Sequence, residues 1–437
     1  MATIGTAHTS RTIGKKRWSD LIIWPIGPMD YGLLIATLAL VAVGLMMVYS
    51  ASLFVSLRWQ DDVISYYFVR QLKAAVLGAA GVLVFLCIDY HLIRRASTPV
   101  MLVTLAALLV VLVQGDTLMG ARRGLYEGSF QPSELAKLIT IFYIAHWLSS
   151  KGERIKDFGM GFVPFVVVVG IVGGLIAVQP DLSTAILIGL VAMTMFFVAG
   201  ARFSHFALIV IIGTLAVLLL ISVFPHAHER WTNYWEMVQD PTQAEWHIRQ
   251  VFYGLARGGP FGLGLGNSFQ KTGPLPVPHT DSILAVIGEE LGLFGCLFTL
   301  GLLLFIGYRG FRIMMDTEDV YGKLMALGIT SWLVYQAIIN AAVMTGVIPF
   351  TGVPFPFVSY GGSSMAVSLL GVGVLLSISQ HNKRMEAGIA GPAKAGRRTP
   401  SRAAGPKSVP GWRKTNAAVG VGRRDRRPYS ARPRGRR

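Results

Sequence analysis

Charged side chains are scarce in this 437-residue chain: Asp, Glu, Lys and Arg make up 14% of it, against 53% apolar residues, and the mean hydropathy is +0.53. An ordinary soluble domain carries about 25% charge, so the main solvent of this chain is lipid. Cysteine is almost missing as well. Cys87 and Cys296 stand alone in apolar runs with no Cys-x-x-Cys spacing, and both read as packing residues. Alternation of apolar and polar residues is lacking in runs such as Leu208 to Phe224, which excludes a transmembrane barrel. Neither a Walker pattern nor a full dinucleotide fingerprint occurs, and the nearest approach, Gly258-Gly259-Pro260 with Gly262, Gly264 and Gly266, follows no expected strand. Those glycines read as sites of close backbone packing.

What is present is a series of long apolar runs. About 20 residues are needed to cross about 30 Å of hydrocarbon, and ten runs qualify, at 31–52, 69–88, 97–115, 132–149, 160–179, 182–200, 204–224, 282–307, 323–346 and 363–380. The expectation is an all-α polytopic membrane protein with about ten transmembrane helices. Lys15, Lys16 and Arg17 precede the first run, Arg94 and Arg95 follow the second, Lys151, Arg154 and Lys156 follow the fourth, and Arg309, Arg312 and Lys323 separate the eighth and ninth. This bias places both termini in the cytoplasm, with the N-terminal segment 1–30 retained rather than cleaved. The domain proper is 31–380, and 225–281 forms a large extracytoplasmic loop between helices 7 and 8.

After Gln380 the composition changes. Residues 381–437 carry 17 Lys and Arg against Glu386 and Asp425, which is +15 of the chain's net +17. This basic cytoplasmic tail is expected to be disordered and to favour anionic lipid or a protein partner; nucleic acid is not expected.

With this topology the unusual polar residues collect on the outer side. Arg122 and Arg123 lie between runs three and four, Gln131-Pro132-Ser133-Glu134 begins run four, Gln179-Pro180-Asp181 begins run six, and PFPFVSYGGSS, Pro354 to Ser364, begins run ten. The prolines suit first helical positions. Lys137, three residues after Glu134, either pairs with it along the helix or faces a wet cavity, since a lone cation in hydrocarbon is costly. Runs four, six, eight and ten aim their N-termini outward, which favours an anion there; Ser363 and Ser364 add hydroxyls, and Arg122, Arg123, Arg257 and Lys271 add positive charge. A phosphate or pyrophosphate fits such a cluster.

In the large loop, Trp231, Tyr234, Trp235 and Trp246 are spaced as in helices lying at the interface, while His226 and His228 read as solvated rather than metal-binding. Asp281 stands at the entrance to run eight, in LPVPHTDSILAVIGEELGLFG. An acid at that border is either a functional group or a complement to the helix dipole. Deeper in that run, Glu289 is expected to face a cavity and Glu290 a polar neighbour, although the pattern alone assigns neither; Gln336 and Asn340 are expected to bond between helices.

The strings HTDSILAVIGEELGLFG, FQPSELAK, QPDLSTA and PFPFVSYGGSS, in this order, resemble the SEDS family of bacterial cell-wall polymerases, whose FtsW and RodA subfamilies share this layout from about Tyr31 to Gln380. The resemblance implies an inverting peptidoglycan glycosyltransferase that polymerises lipid II outside the plasma (inner) membrane, beside a class B penicillin-binding protein transpeptidase and other divisome proteins. It implies a catalytic role for Asp281 and identifies Arg123 with the arginine of the family's outer loop. Gly124 stands where a tryptophan often follows, and Ser282-Ile283-Leu284 replaces the familiar Phe-Ile-Phe.

The chemistry agrees with a single base, because pyrophosphate leaves without protonation once its charge is neutralised. Asp281 is then the general base. Arg123, Lys137, Glu134, Lys271, Ser363 and Ser364 line the substrate site. No cofactor is evident; a divalent cation (Mg²⁺ or Mn²⁺) would suit the phosphates, but its ligands cannot be named. The basic tail and the wording of the Asp281 motif favour the FtsW division type. The alternatives are a RodA-like elongation polymerase, a lipid II flippase, and a noncatalytic scaffold.

Overall fold

The computed structural model describes residues 27–59, 65–118, 121–124 and 131–387. Residues 388–437 of the basic tail, for which disorder is expected, and the segment before residue 27 lie outside these residues, whereas 381–386, expected to begin that disordered tail, continue the last helix. Ten apolar helices match the ten expected runs: α1 (Tyr31–Trp59), α2 (Tyr66–Cys87), α3 (His91–Gln114), α4 (Pro132–Lys151), α5 (Val163–Val178), α6 (Leu182–Val198), α7 (Phe203–Val223), α10 (Ile283–Met315), α11 (Val320–Met344) and α12 (Gly362–Glu386). Eight of them are long and apolar enough to cross a membrane, α5 being counted with its π-helical lead-in Phe158–Phe162. Of the other two, α6 has 17 residues and α4 carries Glu134 and Lys137 in its first turns.

The remaining helices, α8 (Pro225–Gln239) and α9 (Trp246–Gly258), occupy the large loop, as the aromatic spacing suggests. One departure from an all-helical chain is a hairpin of β1 (Asp116–Leu118) and β2 (Ala121–Gly124), with Thr117 opposite Arg122 and a bulge after Asp116. No strand is foreseen there in the sequence, because three and four residues are too few to show alternation.

Burial sorts the helices into a centre and a rim. α4, α11 and α12 bury most of their side chains, including Trp332, Tyr321 and Leu138. α7 buries only His205, as expected of a helix that is apolar on every side and faces lipid. At one end of the bundle Arg309 Nε and Nη2 grip the Asp30 carboxylate at 2.6–3.1 Å, tying the start of α1 to α10.

The expected eighth span is broken. Gly292 has φ 69° and ψ −168°, dividing α10 into a half-helix Ile283–Leu291 and a long remainder. The glycine-rich loop after α9 repairs the broken ladder. Leu263 and Gly264 amides donate to the Glu289 and Glu290 carbonyls, while the Leu293 and Phe294 amides donate to Gly259 and Pro260. Side chains are absent where the backbones meet: a Cβ on Gly258 would collide with the Gly288 carbonyl, and one on Gly262 with that of Glu290. Their close packing accounts for the glycines, which have no nucleotide-binding pattern.

Candidate active site

Asp281 sits at the head of the half-helix of α10, partly exposed. The Thr280 hydroxyl lies 2.8 Å from Asp281 Oδ1 and 2.9 Å from the Val277 carbonyl, and donates to one of them. Asn340, fully buried on α11, places its Nδ2 2.8 Å from the Asp281 carbonyl and 2.7 Å from that of Val353. Gly352, with φ 67°, brings bare backbone against the carboxylate; a Cβ there would lie 3.5 Å from Asp281 Oδ2. On the next residue, Ser282 Oγ is 2.7 Å from His247 Nε2 of α9. Burial lowers the His247 pKa, and the nearby Asp281 and Glu245 charges partly oppose that.

The segment PFPFVSYGGSS forms no helix before Gly362 and packs against the middle of α1, where Gly44 leaves room: a Cβ on Gly44 would strike the Phe357 carbonyl. Irregular backbone at such depth survives only when its polar groups are met within the protein. Three buried amides do this. Gln71 donates to the Ser359 carbonyl at 3.1 Å and accepts from the Gly361 amide at 3.1 Å; Gln336 donates to the Pro354 carbonyl at 2.9 Å; Asn340 serves Val353. Gln336 thus braces the loop while also joining α11 to Lys137 of α4, the bond between helices expected of it, and Asn340 braces the loop and the residue at the head of α10.

The two similar proline motifs meet. Ser133 Oγ donates to Asp181 Oδ2 at 3.4 Å, and Asp181 caps α6 by accepting from the Thr184 amide. Ser363 Oγ accepts from the Gln131 amide at 3.1 Å, joining the starts of α4 and α12, while Ser364 is buried one residue on. Lys137 is 2% exposed; its Nζ is 2.8 Å from the Glu134 carboxylate and 3.2 Å from Gln336 Oε1. Of the two alternatives for Lys137, pairing within α4 is the one observed, with its ammonium buried.

Lys271 is buried too, with Nζ 2.6 Å from Glu290 Oε1 and 2.9 Å from Ser50 Oγ of α1. Its ammonium is committed to a carboxylate inside the protein, so it is not a free outer-face charge. Glu289, expected at a cavity, is fully buried and accepts from Ser268 Oγ and from the Phe269 and Gln270 amides. Of the arginines, Arg123 and Arg122 belong to β2, between α3 and α4 at the Asp281 end. Cys296 is buried, and Cys87 is half-buried at the end of α2.

A cavity of about 530 Å³ opens between α6 and α7. Ile186, Leu190, Val217 and Ile221 line its apolar part, while His226, Glu229, Arg230 and Glu245 gather at the other. Phe350 and Thr351 complete the wall, one residue from the Gly352 backbone that faces Asp281. His226 and His228 are part of α8, and His226 belongs to this rim.

His279, two residues before Asp281, is packed between the rings of Tyr67 and Tyr360, with centroids 4.4 and 5.2 Å away. Burial lowers its pKa to about 4. The unfolded chain then binds a proton that the folded one refuses, so this contribution is complete above about pH 6.5 and is lost as pH falls towards 4. Its size is on the order of 3 kcal/mol. Thermal unfolding in detergent should show a marked loss of stability from pH 7 to 5 that His279→Phe, which keeps the ring stacking, removes in large part; an unchanged pH slope in that variant would contradict this account.

Comparison with known proteins agrees with this layout. The family model for FtsW/RodA/SpoVE cell cycle proteins matches residues 31–384. A protein of Trichlorobacter lovleyi called probable peptidoglycan glycosyltransferase FtsW is 40% identical over 359 residues, covering 80% of this chain and 93% of its own. Stage V sporulation protein E of Bacillus subtilis is 39% identical, covering 81% and 98%. Among solved structures, Thermus thermophilus rod shape determining protein RodA superposes with a TM-score of 0.61 at 26% identity, over 81% of this chain and 97% of that one. A chain from a peptidoglycan synthase complex that coordinates polymerization and crosslinking gives 0.65 at 26%, over 81% and 98%.

Proposed function

Because this chain belongs to the FtsW/RodA/SpoVE family of cell cycle proteins, we propose that it is a peptidoglycan glycosyltransferase of the division type, polymerising lipid II into β1,4-linked glycan at the outer face of the plasma membrane. The observation that carries the reading is the position of Asp281, whose backbone carbonyl accepts from Asn340 and whose partly exposed carboxylate faces Gly352, the residue after Thr351 in the wall of the cavity between α6 and α7. That cavity has an apolar slot for a lipid tail and a polar rim with Arg230 for a headgroup.

In this reading, the 4-hydroxyl of one sugar attacks the anomeric carbon of a lipid-linked one. Asp281 takes the hydroxyl proton as the new C–O bond forms, and the old C–O bond breaks with its electron pair leaving on the lipid pyrophosphate, inverting the centre. A carboxylate cannot ionise an alcohol in advance, so proton transfer accompanies attack. Arg123 stabilises the departing charge. Ser363 and the Glu134–Lys137 pair shape the wall around the starts of α4 and α12, and Lys271 with Glu290 fixes the loop below. Mg²⁺ or Mn²⁺ bound to the phosphates is compatible with this step, which is assigned to the chain's own residues alone.

The catalytic domain comprises 31–380 with 225–281 as its outer loop, and both termini are cytoplasmic. A class B penicillin-binding protein crosslinks the strand beside it at the septum, with other divisome proteins. A flippase needs matched routes from both sides, whereas here the Asp30–Arg309 pair ties α1 to α10 at the far end.

Asp281→Asn in a purified lipid II assay is the decisive experiment. A second concerns Arg123: the alanine variant should slow turnover about 100- to 1,000-fold, and lysine should recover part of it because a point charge replaces some of a bidentate clamp. Equal losses in gel-resolved product from both variants would assign Arg123 to the hairpin's structure.

A further inference from the structure

We propose that Asp89, His91 and His381 bind a zinc ion at the end of the bundle opposite Asp281. Asp89 and His91 flank the turn between α2 and α3, and His381 lies near the end of α12. One ligand atom from each, an oxygen and two imidazole nitrogens, comes within 4.8 Å of the others. Asp89 is buried and the two histidines are partly exposed, so an ion has an approach and the imidazoles have room to shift, His91 away from Asp89 and His381 towards it.

The atoms suit zinc in number and in kind. Two imidazoles and a carboxylate supply three of four tetrahedral positions at about 2.0–2.2 Å, and water completes the set. His91 Nδ1 lies 2.6 Å from Asp89 Oδ1, and His91 Nε2 lies 3.7 Å from Asp319 Oδ2 at the start of α11. With Nδ1 towards Asp89, Nε2 faces Asp319, and a small shift of the ring on binding would bring the two within hydrogen-bond reach, the carboxylate–histidine–metal pairing that fixes a ring's tautomer and strengthens it as a ligand.

The surroundings hold the site in place. Tyr90 stacks on His91 at 4.2 Å and meets His381 edge-on at 5.5 Å, and the two imidazoles are 5.3 Å apart. Asp319 also accepts from the Gly322 amide, capping α11. A bound ion would join the α2–α3 turn to α12 directly and to α11 through Asp319. Its role is structural, since α10 and α11 both place Asp281 and its Asn340 brace at their far ends.

The test uses the full-length protein in detergent, stripped with chelator and dialysed against buffered Zn²⁺. One equivalent per chain is expected, lost in His91→Gln and in His381→Gln, weakened about 10-fold or more in Asp319→Asn, and retained in the His226→Gln/His228→Gln double variant. Co²⁺ in place of Zn²⁺ should give the intense visible bands of a four-coordinate nitrogen–oxygen site. Substoichiometric zinc in the intact protein overturns the proposal, as does full retention by both single histidine variants or loss in the α8 double variant alone. Should a histidine variant misfold, the cobalt spectrum of the intact protein still decides: only weak, six-coordinate bands would refute the site.

Discussion

Asp281→Asn should lower glycan polymerisation by about 10²- to 10⁴-fold, the range lost with a positioned general base, while leaving the thermal unfolding temperature almost unchanged. The substitution preserves shape and removes only basicity. The hydrogen bond that places the residue runs from Asn340 to its backbone carbonyl and does not depend on the carboxylate charge, and an amide oxygen can still accept from the Thr280 hydroxyl. Asn340→Ala offers the complementary measurement: Asp281 keeps its base but loses the brace, so turnover should fall by a smaller factor and stability should fall as well. Robust polymer synthesis by folded Asp281→Asn would remove this residue from the proton-transfer step.

The second large effect concerns stability. Glu290→Gln should destabilise the protein by about 3–5 kcal/mol, because it leaves the Lys271 ammonium buried without its counter-charge. Both side chains are essentially inaccessible and Ser50 is their only other bonded neighbour among the described residues. A Lys271→Met/Glu290→Leu double variant removes both charges at similar volume and should recover much of the loss, since paired apolar replacements are often neutral. Melting curves of the single and double variants decide the matter. Additive losses would mean that Lys271 and Glu290 stabilise the fold separately.

The spans were legible because each is a local pattern. Ten apolar runs reappear as ten helices, and Pro132 takes the first position of α4 as expected, whereas Pro180 lies in the turn before α6, whose cap is Asp181. Helix ends drifted outward where the chain continues past the hydrocarbon, as α1 does to Trp59 and α12 to Glu386. The polar interior was less legible, for a physical reason: Lys271 with Ser50, Gln71 with Ser359 and Ser363 with Gln131 are pairs hundreds of residues apart, and nothing in periodicity records them. Lys271 therefore looked like a free outer charge. Glu289 looked like a cavity residue because an acid within an apolar run suggests water, whereas Ser268 and two backbone amides satisfy it in a dry site. One signal for the broken eighth span was available in Gly288 and Gly292 opposite Gly258 and Gly262, a match of bare backbones that composition shows but periodicity does not.

The break at Gly292 has a mechanical consequence for the residue at the head of the half-helix. Nine residues make about two and a half turns, too few to be stiff alone in water, so the rigidity of Ile283–Leu291 is supplied by the strap of residues 259–264 that completes its hydrogen bonds. The carboxylate at its head and the loop emerging from α9 thus move as one body. The strap is bonded on the far side of the break as well, through Leu293 and Phe294, so a force on that loop reaches the half-helix and the long span together, and lengthening the strap by a single residue should disturb their junction and misplace the carboxylate.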